Sequence, residues 1–256
     1  MTTSFSGKKA LVCGASQGIG WSTAQILADQ GAQVTLLART EERLKTLVNE
    51  LNGSGHSYLA VDLHDTEALT KALQNQSNDF DILILNAGGP KGGSLLEAKD
   101  EEYLESFRTH ILANATLVKS IAPHMKSKNY GRIVHIISTS VKAVIPNLGV
   151  SNTIRGAVAN WSKTLSMELA PFGITVNNVL PGYTKTPRLE KLITATASRL
   201  GQSESEVSQM WKDKVPSLRF AEPEEVAHAV VFLASEVAGY INGVNLPVDG
   251  GRTPSL

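Results

Sequence analysis

Short aliphatic and β-branched runs alternate along the chain with longer stretches in which apolar residues recur every three or four positions. Alternation of this kind predicts parallel strands joined by crossover helices. The runs predict strands over 9–13, 33–37, 57–61, 81–85, 132–137, 175–180 and 244–248. The longer periods predict helices over 19–29, 41–52, 67–76, 100–126, 152–170 and 223–234. Ile82-Leu83-Ile84-Leu85 and Ile133-Val134-His135-Ile136-Ile137 are apolar at nearly every position rather than at every second one, as strands covered on both faces are. The predicted class is therefore α/β: a doubly wound, seven-stranded, mostly parallel sheet with helices on both faces. Gly31 and Gly53 stand where helix stops are wanted. Residues 184–220 break the alternation, too long for an ordinary connection and too polar for core, and are expected to form a helical substrate lid. No repeat or linker divides the chain, so 1–256 reads as one domain.

Composition narrows the partners. Lys plus Arg and Asp plus Glu number 24 each, which argues against nucleic acid and points to a small, neutral ligand. The segment Met1-Thr2-Thr3-Ser4-Phe5-Ser6-Gly7-Lys8-Lys9 has no apolar targeting core, and no later run approaches the roughly 20 apolar residues that cross a bilayer. A soluble, cytoplasmic protein with no membrane partner is expected. The lone Cys13 lies within Ala10-Leu11-Val12-Cys13, where a buried structural thiol is the natural reading. No metal site is expected.

After the first predicted strand comes Gly14-Ala15-Ser16-Gln17-Gly18-Ile19-Gly20. Its glycines permit a tight turn and let a phosphate approach the backbone at a helix N-terminus. A plain strand-to-helix turn is the competing reading of that loop alone, because the spacing G-x-x-x-G-x-G departs from the common dinucleotide fingerprint G-x-G-x-x-G. Four further segments follow at strand ends: Asp62-Leu63, Asn86-Ala87-Gly88, Pro181-Gly182 and Val248-Asp249-Gly250-Gly251.

With these segments in this order, the chain resembles the short-chain dehydrogenase/reductase family over essentially its whole length, which implies a Rossmann-type fold. The resemblance implies that Asp62 and Leu63 approach adenine, that Asn86, Ala87 and Gly88 line the nucleotide groove, and that Pro181, Gly182, Thr184 and Thr186 hold the nicotinamide carboxamide. Asn86 could equally brace a strand end, and Pro181-Gly182 could simply end one. In the family an acid commonly closes the second strand to accept the ribose diol. Ala38 stands there instead, followed by Arg39 and Thr40. An Arg suits a 2′-phosphate, so NADP(H) is favoured over NAD(H). Gln17 occupies the glycine-loop position that often carries a second basic residue, and Arg39 could be a solvated neighbour of Glu41 and Glu42.

Family reductases place a Tyr four residues before a Lys on one helix, with a Ser for the substrate carbonyl and an Asn on the preceding helix. Aligned through Arg155-Gly156-Ala157-Val158, this chain puts Ser151 at the Tyr position, Arg155 at the Lys position and His110 at the Asn position. A serine hydroxyl is far less acidic than a phenol, whose pKa is about 10. Arg155 suits a ribose diol but holds its proton too firmly to relay it. The substrate-side serine is Ser138 or Ser140, or both are turn hydroxyls. Lys142 and Tyr183 are candidate replacement acids; His110 either joins a proton relay or packs. The pattern is similar to a divergent group of 3-oxoacyl-acyl-carrier-protein-reductase-like members that keep the fold without a full match to the catalytic residues.

The resemblance implies a reversible NADP(H)-linked oxidoreductase acting on a small carbonyl or alcohol substrate, with acyl thioesters left open. A catalytically silent dinucleotide-binding regulatory or assembly protein is the alternative, and a structural protein without cofactor a third. By resemblance, the helices over 100–126 and 152–170 pair between subunits, giving a homodimer or homotetramer; burial within one chain would explain their apolar stripes equally well.

Overall fold

The computed structural model describes residues 4–255, so Met1 to Thr3 of the N-terminal segment and Leu256 lie outside it. Seven strands form one parallel sheet: β1 (Lys9–Cys13), β2 (Gln33–Ala38), β3 (Ser57–Ala60), β4 (Ile82–Leu85), β5 (Gly131–Ile136), β6 (Ile174–Pro181) and β7 (Asn245–Val248). Their order is β3-β2-β1-β4-β5-β6-β7, so the winding reverses between β1 and β4. Ala10, Leu11 and Val12 lie level with Ile82, Leu83 and Ile84 across that junction. A crevice opens at the carboxyl ends of the strands where such a sheet reverses.

Successive side chains along a strand point to opposite faces, which splits the core in two. Ala10, Val12, Val34 and Leu36 pack with α1 (Gly18–Asp29), α2 (Glu41–Asn49) and α9 (Pro223–Ala234). Leu11, Cys13, Leu37 and Leu83 pack with α3 (Thr66–Gln74) and α5 (Ala113–Lys128) on the other face. Both faces are covered, which is why β4 is apolar throughout and β1 and β5 are apolar at most positions. Cys13 is buried, and burial pushes its thiol up to about 12, consistent with a structural thiol.

The elements depart from the sequence expectation at their ends. Gly31, at φ +93°, ends the connection after α1: its N–H reaches Ala28 O at 2.9 Å, and Ala32 N reaches Leu27 O at 3.0 Å. Gly53 does not stop α2, because Glu50 N and Leu51 N bond three residues back, to Leu47 O and Val48 O, tightening the chain before the glycine arrives. The helix expected over 100–126 is α4 (Asp100–Phe107) and α5 separated by a π turn, Arg108–Leu112. The helix expected from 152 is α6 (Gly149–Leu169), one turn earlier. A Cβ on Gly149 would stand 2.7 Å from Leu95 Cγ, so only glycine lets this first turn form against the 93–95 loop. Residues 184–220 contain two helices, α7 (Pro187–Leu200) and α8 (Glu204–Lys212), which share an apolar cluster with Phe220.

Candidate active site

The cleft at the sheet's reversal point has a volume of about 1480 Å³. One end is built on the turn between β1 and α1. Gly14 has φ +59°, and Asn86 Nδ2 donates to Gly14 O at 3.2 Å. Side chains on Gly14 or Gly20 would collide with that bracing, at 2.7 Å from Asn86 and 2.3 Å from Gly14 O respectively. Asn86 therefore braces the loop and also borders the cleft. Ser16, Gln17, Gly18 and Ile19 line the cleft at the start of α1, and the Gln17 side chain makes no capping bond. The first amides of α1 are thus left without a side-chain cap. Gly88 faces open space, with no atom within 4 Å of where its Cβ would sit. This set of glycines and amides fits the pyrophosphate of a dinucleotide, which needs close backbone approach and a positive helix end.

At the outer edge, Arg39 and Thr40 follow β2, and Asp62 and Leu63 follow β3; all four line the cleft. The Arg39 guanidinium lies 4.0 Å from the Asp62 carboxylate, with both exposed. Asp62 also accepts from His64 N at 3.0 Å. On the far wall, Gly182 N donates to Val248 O at 2.9 Å, and a Cβ on Gly182 would meet Asp249 at 2.7 Å. Thr184 Oγ1 donates to Gly182 O, Thr186 Oγ1 donates to Thr184 O, and Thr186 Oγ1 accepts from Leu189 N to cap α7. Pro181, Ala87 and these two threonines complete the lining.

Ser138, Ser151 and Arg155 all line the cleft, and Ser151 and Arg155 are buried. The loop before α6 is fixed by Asn152, whose Nδ2 donates to Ile145 O at 2.9 Å, and by Gly93 N donating to Asn147 O at 2.8 Å. Arg155 Nη1 donates to Ile136 O at 3.3 Å. Burial, and then the neighbouring Arg188, pull its pKa down to about 10. Ser138 Oγ accepts from Ser140 N at 3.1 Å, which leaves its hydroxyl hydrogen free for a ligand acceptor.

Gly20, His110, Ser140 and Lys142 do not line the cleft. Gly20 is packed beneath the glycine loop. Ser140 is buried with its hydroxyl unpartnered, so of the two serines only Ser138 faces the cleft. Lys142 is exposed. His110 is buried in the π turn; burial and then Arg155 hold its pKa well below the ordinary value, while a hydrogen bond with the Gly88 backbone works the other way. Tyr183 does line the cleft, with its ring stacked on Trp211 at 4.9 Å between centroids and edge-on to Phe220 at 5.9 Å. Sequence reasoning missed Arg188, Arg252 and Trp211, which also line it. Arg188 directly follows the Thr186-Pro187 start of α7 and could have been suspected there. Nothing local marks Arg252 or Trp211.

Residues 14–253 match the family described as enoyl-(acyl carrier protein) reductase. The 3-oxoacyl-acyl-carrier-protein reductase FabG of Vibrio cholerae is 34% identical over 253 residues, spanning 96% of this chain and 97% of its own. The chain belongs to the short-chain dehydrogenase/reductase family. Among solved members, L-sorbose reductase from Gluconobacter frateurii, complexed with NADPH and L-sorbose, has a TM-score of 0.91 at 30% identity, with 100% of both chains covered. A variant of actinorhodin polyketide ketoreductase with NADPH has a TM-score of 0.91 at 31% identity, again over 100% of both chains.

Proposed function

We propose that this short-chain dehydrogenase/reductase is a reversible NADP(H)-linked oxidoreductase acting on a small carbonyl or alcohol compound through an atypical catalytic centre. The observation that carries this reading is the continuity of one cleft, from Arg39 past the glycine loop to Ser138, Ser151 and Arg155. NADPH is bound in the two solved relatives named above. When bound, the nicotinamide supplies a hydride to the carbonyl carbon. Ser138 donates to the carbonyl oxygen. Arg155 stays protonated near neutrality, with its pKa at about 10, and orients the ribose rather than relaying a proton. The proton reaching the oxygen comes from water or from Tyr183, because Ser151 is too weak an acid. Residues 184–220 act as the substrate lid, an assignment supported by Leu192, Thr196 and Met210 on its inner face.

Arg39 favours NADP(H), taking the 2′-phosphate in place of its distant pair with Asp62. The same reading has the protein cytoplasmic; among the described residues no helix is long and apolar enough to cross a membrane. It also has a homodimer or homotetramer, supported by the exposed Leu104 and Phe107 on α4, Leu112 in the π turn and Met167 on α6.

A second reading, a catalytically silent dinucleotide-binding protein, is favoured by one observation: the Tyr183 ring is stacked on Trp211 with the Arg252 guanidinium 4.4 Å from its centroid, which restricts how its hydroxyl can be turned towards a substrate. Titrating NADPH and then screening carbonyl turnover separates the two. Saturable binding with substrate-dependent NADPH oxidation is the expected result. Binding without oxidation across the screen, with activity gained in Ser151→Tyr/Arg155→Lys, selects the silent protein. Arg39→Asp is expected to weaken NADPH by about tenfold or more while sparing NADH; equal losses for both would remove the 2′-phosphate assignment.

A further inference from the structure

Besides the exposed Arg39 and Arg199, three arginines reach the cleft from distant parts of the chain: Arg155 on α6, Arg188 in the first turn of α7 and Arg252 beyond β7. Each is anchored on neutral atoms. Arg155 Nη1 donates to Ile136 O, Arg188 Nη2 to Pro90 O, and Arg252 Nη1 to Thr139 Oγ1 at 3.3 Å. The Arg252 guanidinium also lies 4.4 Å from the Tyr183 ring centroid. Asp249 is the nearest acid in sequence to Arg252, and its carboxylate accepts from Gly251 N and Thr253 N instead. Among the described residues, the arginines held in ion pairs are Arg39 and Arg219, not these three. Each guanidinium carries five N–H donors, so single bonds leave most of them unused.

A buried or half-buried cation is costly unless an anion compensates it. Here the cations also repel one another: burial lowers the Arg188 pKa, and Arg188 adds to the lowering at Arg155. For Arg252 the compensation has to come from elsewhere than the cofactor. Its pyrophosphate fits the start of α1, whereas Arg252 is anchored beside Ser138 on Thr139 and against Tyr183.

Resting on the oxidoreductase reading above, we propose that the substrate is an organic carboxylate, an oxo acid or the matching hydroxy acid, gripped by Arg252 and Arg188 while its carbonyl meets Ser138. A guanidinium laid against an aromatic face presents its edge to a planar carboxylate, which favours two-point binding. Arg155 adds positive potential beneath that grip. These three guanidiniums then gain an ion-pair partner when substrate arrives.

The test uses the full chain saturated with NADPH and measures binding of 2-oxohexanoate, levulinate and 5-oxohexanoate, each beside its methyl ester. At least one acid is expected to bind about tenfold or more tightly than its ester. Arg188→Gln and Arg252→Gln should bring that ratio towards one, while NADPH affinity and the unfolding midpoint are held. Equal binding of acids and esters, or no binding of any acid, overturns the proposal. So does a loss of NADPH affinity in both variants with the acid preference intact, which would assign the arginines to the cofactor phosphates. Acid preference without NADPH oxidation supports the carboxylate site and counts against the oxidoreductase reading, so the two fail separately.

Discussion

Arg155 holds a full charge in the interior with one neutral carbonyl as partner. Retaining such a group costs folding stability, because a solvated cation in the unfolded chain becomes a desolvated one beside Arg188. Arg155→Met is therefore expected to stabilise the free protein by about 1–2 kcal/mol while weakening NADPH at least about tenfold. Thermal unfolding with and without NADPH checks both halves. A lower midpoint in the free variant would mean that the bond to Ile136 O outweighs the burial cost. The cleft-lining residues around Gly14, Asn86 and Pro181 were legible in the sequence because each sits at the end of a strand whose apolar run is itself legible. The arginine cluster was not. Its members, at positions 155, 188 and 252, are joined only by tertiary packing. The overall charge balance of 24 against 24 pointed towards a neutral ligand because net charge averages over the surface and conceals a local excess.

The start of α6 decides where Ser151 stands. The sequence expectation began this helix at 152, since Asn147-Leu148-Gly149 reads as loop by its turn residues. The helix begins at Gly149 because the neighbouring strand-end loop lies against it, with Gly149 N donating to Gly93 O at 3.1 Å. Ser151 consequently falls in the first turn, one helical turn before Arg155. The π turn over Arg108–Leu112 was equally illegible, as it inserts an extra residue without altering the apolar period much. In Gly149→Ala the new methyl would lie 2.7–3.0 Å from Leu95, including its backbone N. We expect about 1–3 kcal/mol of destabilisation in urea unfolding and a proportionally larger fall in turnover, because Ser151 moves with the turn. Adding Leu95→Ala relieves the side-chain contact but not the backbone one, so partial recovery is the expected result of the double-mutant cycle. Full additivity would show that the two residues do not press on each other.

At the scale of the whole molecule, the doubly wound sheet buries two histidines that matter for its pH range. His135, on β5, is edge-on to Trp161 at 5.4 Å, and its Nδ1 lies 3.1 Å from Ser162 Oγ while its Nε2 has no partner. Burial lowers its pKa to about 3, and His110 is also held well below the ordinary value, by burial and Arg155. A largely apolar strand covered on both faces was readable from the sequence; that the imidazole inside it would be left neutral depends on what the helices place over it. Both folded-state values are depressed, so the folded protein takes up fewer protons than the unfolded chain once the pH drops below about 6.5. Stability is thus fully present above that pH and lost as pH falls towards the folded values. Each histidine contributes a slope of up to about 1.4 kcal/mol per pH unit in that window. Denaturant unfolding at about pH 7.5 and about pH 5.5 should reveal the loss, in a range where ordinary carboxylates are still ionised. His135→Leu/Ser162→Ala removes the buried imidazole together with the hydroxyl it would orphan, and is expected to shrink the slope by roughly half. An unchanged slope in that variant would mean that His135 exchanges protons in the folded state, through an opening of β5 towards water.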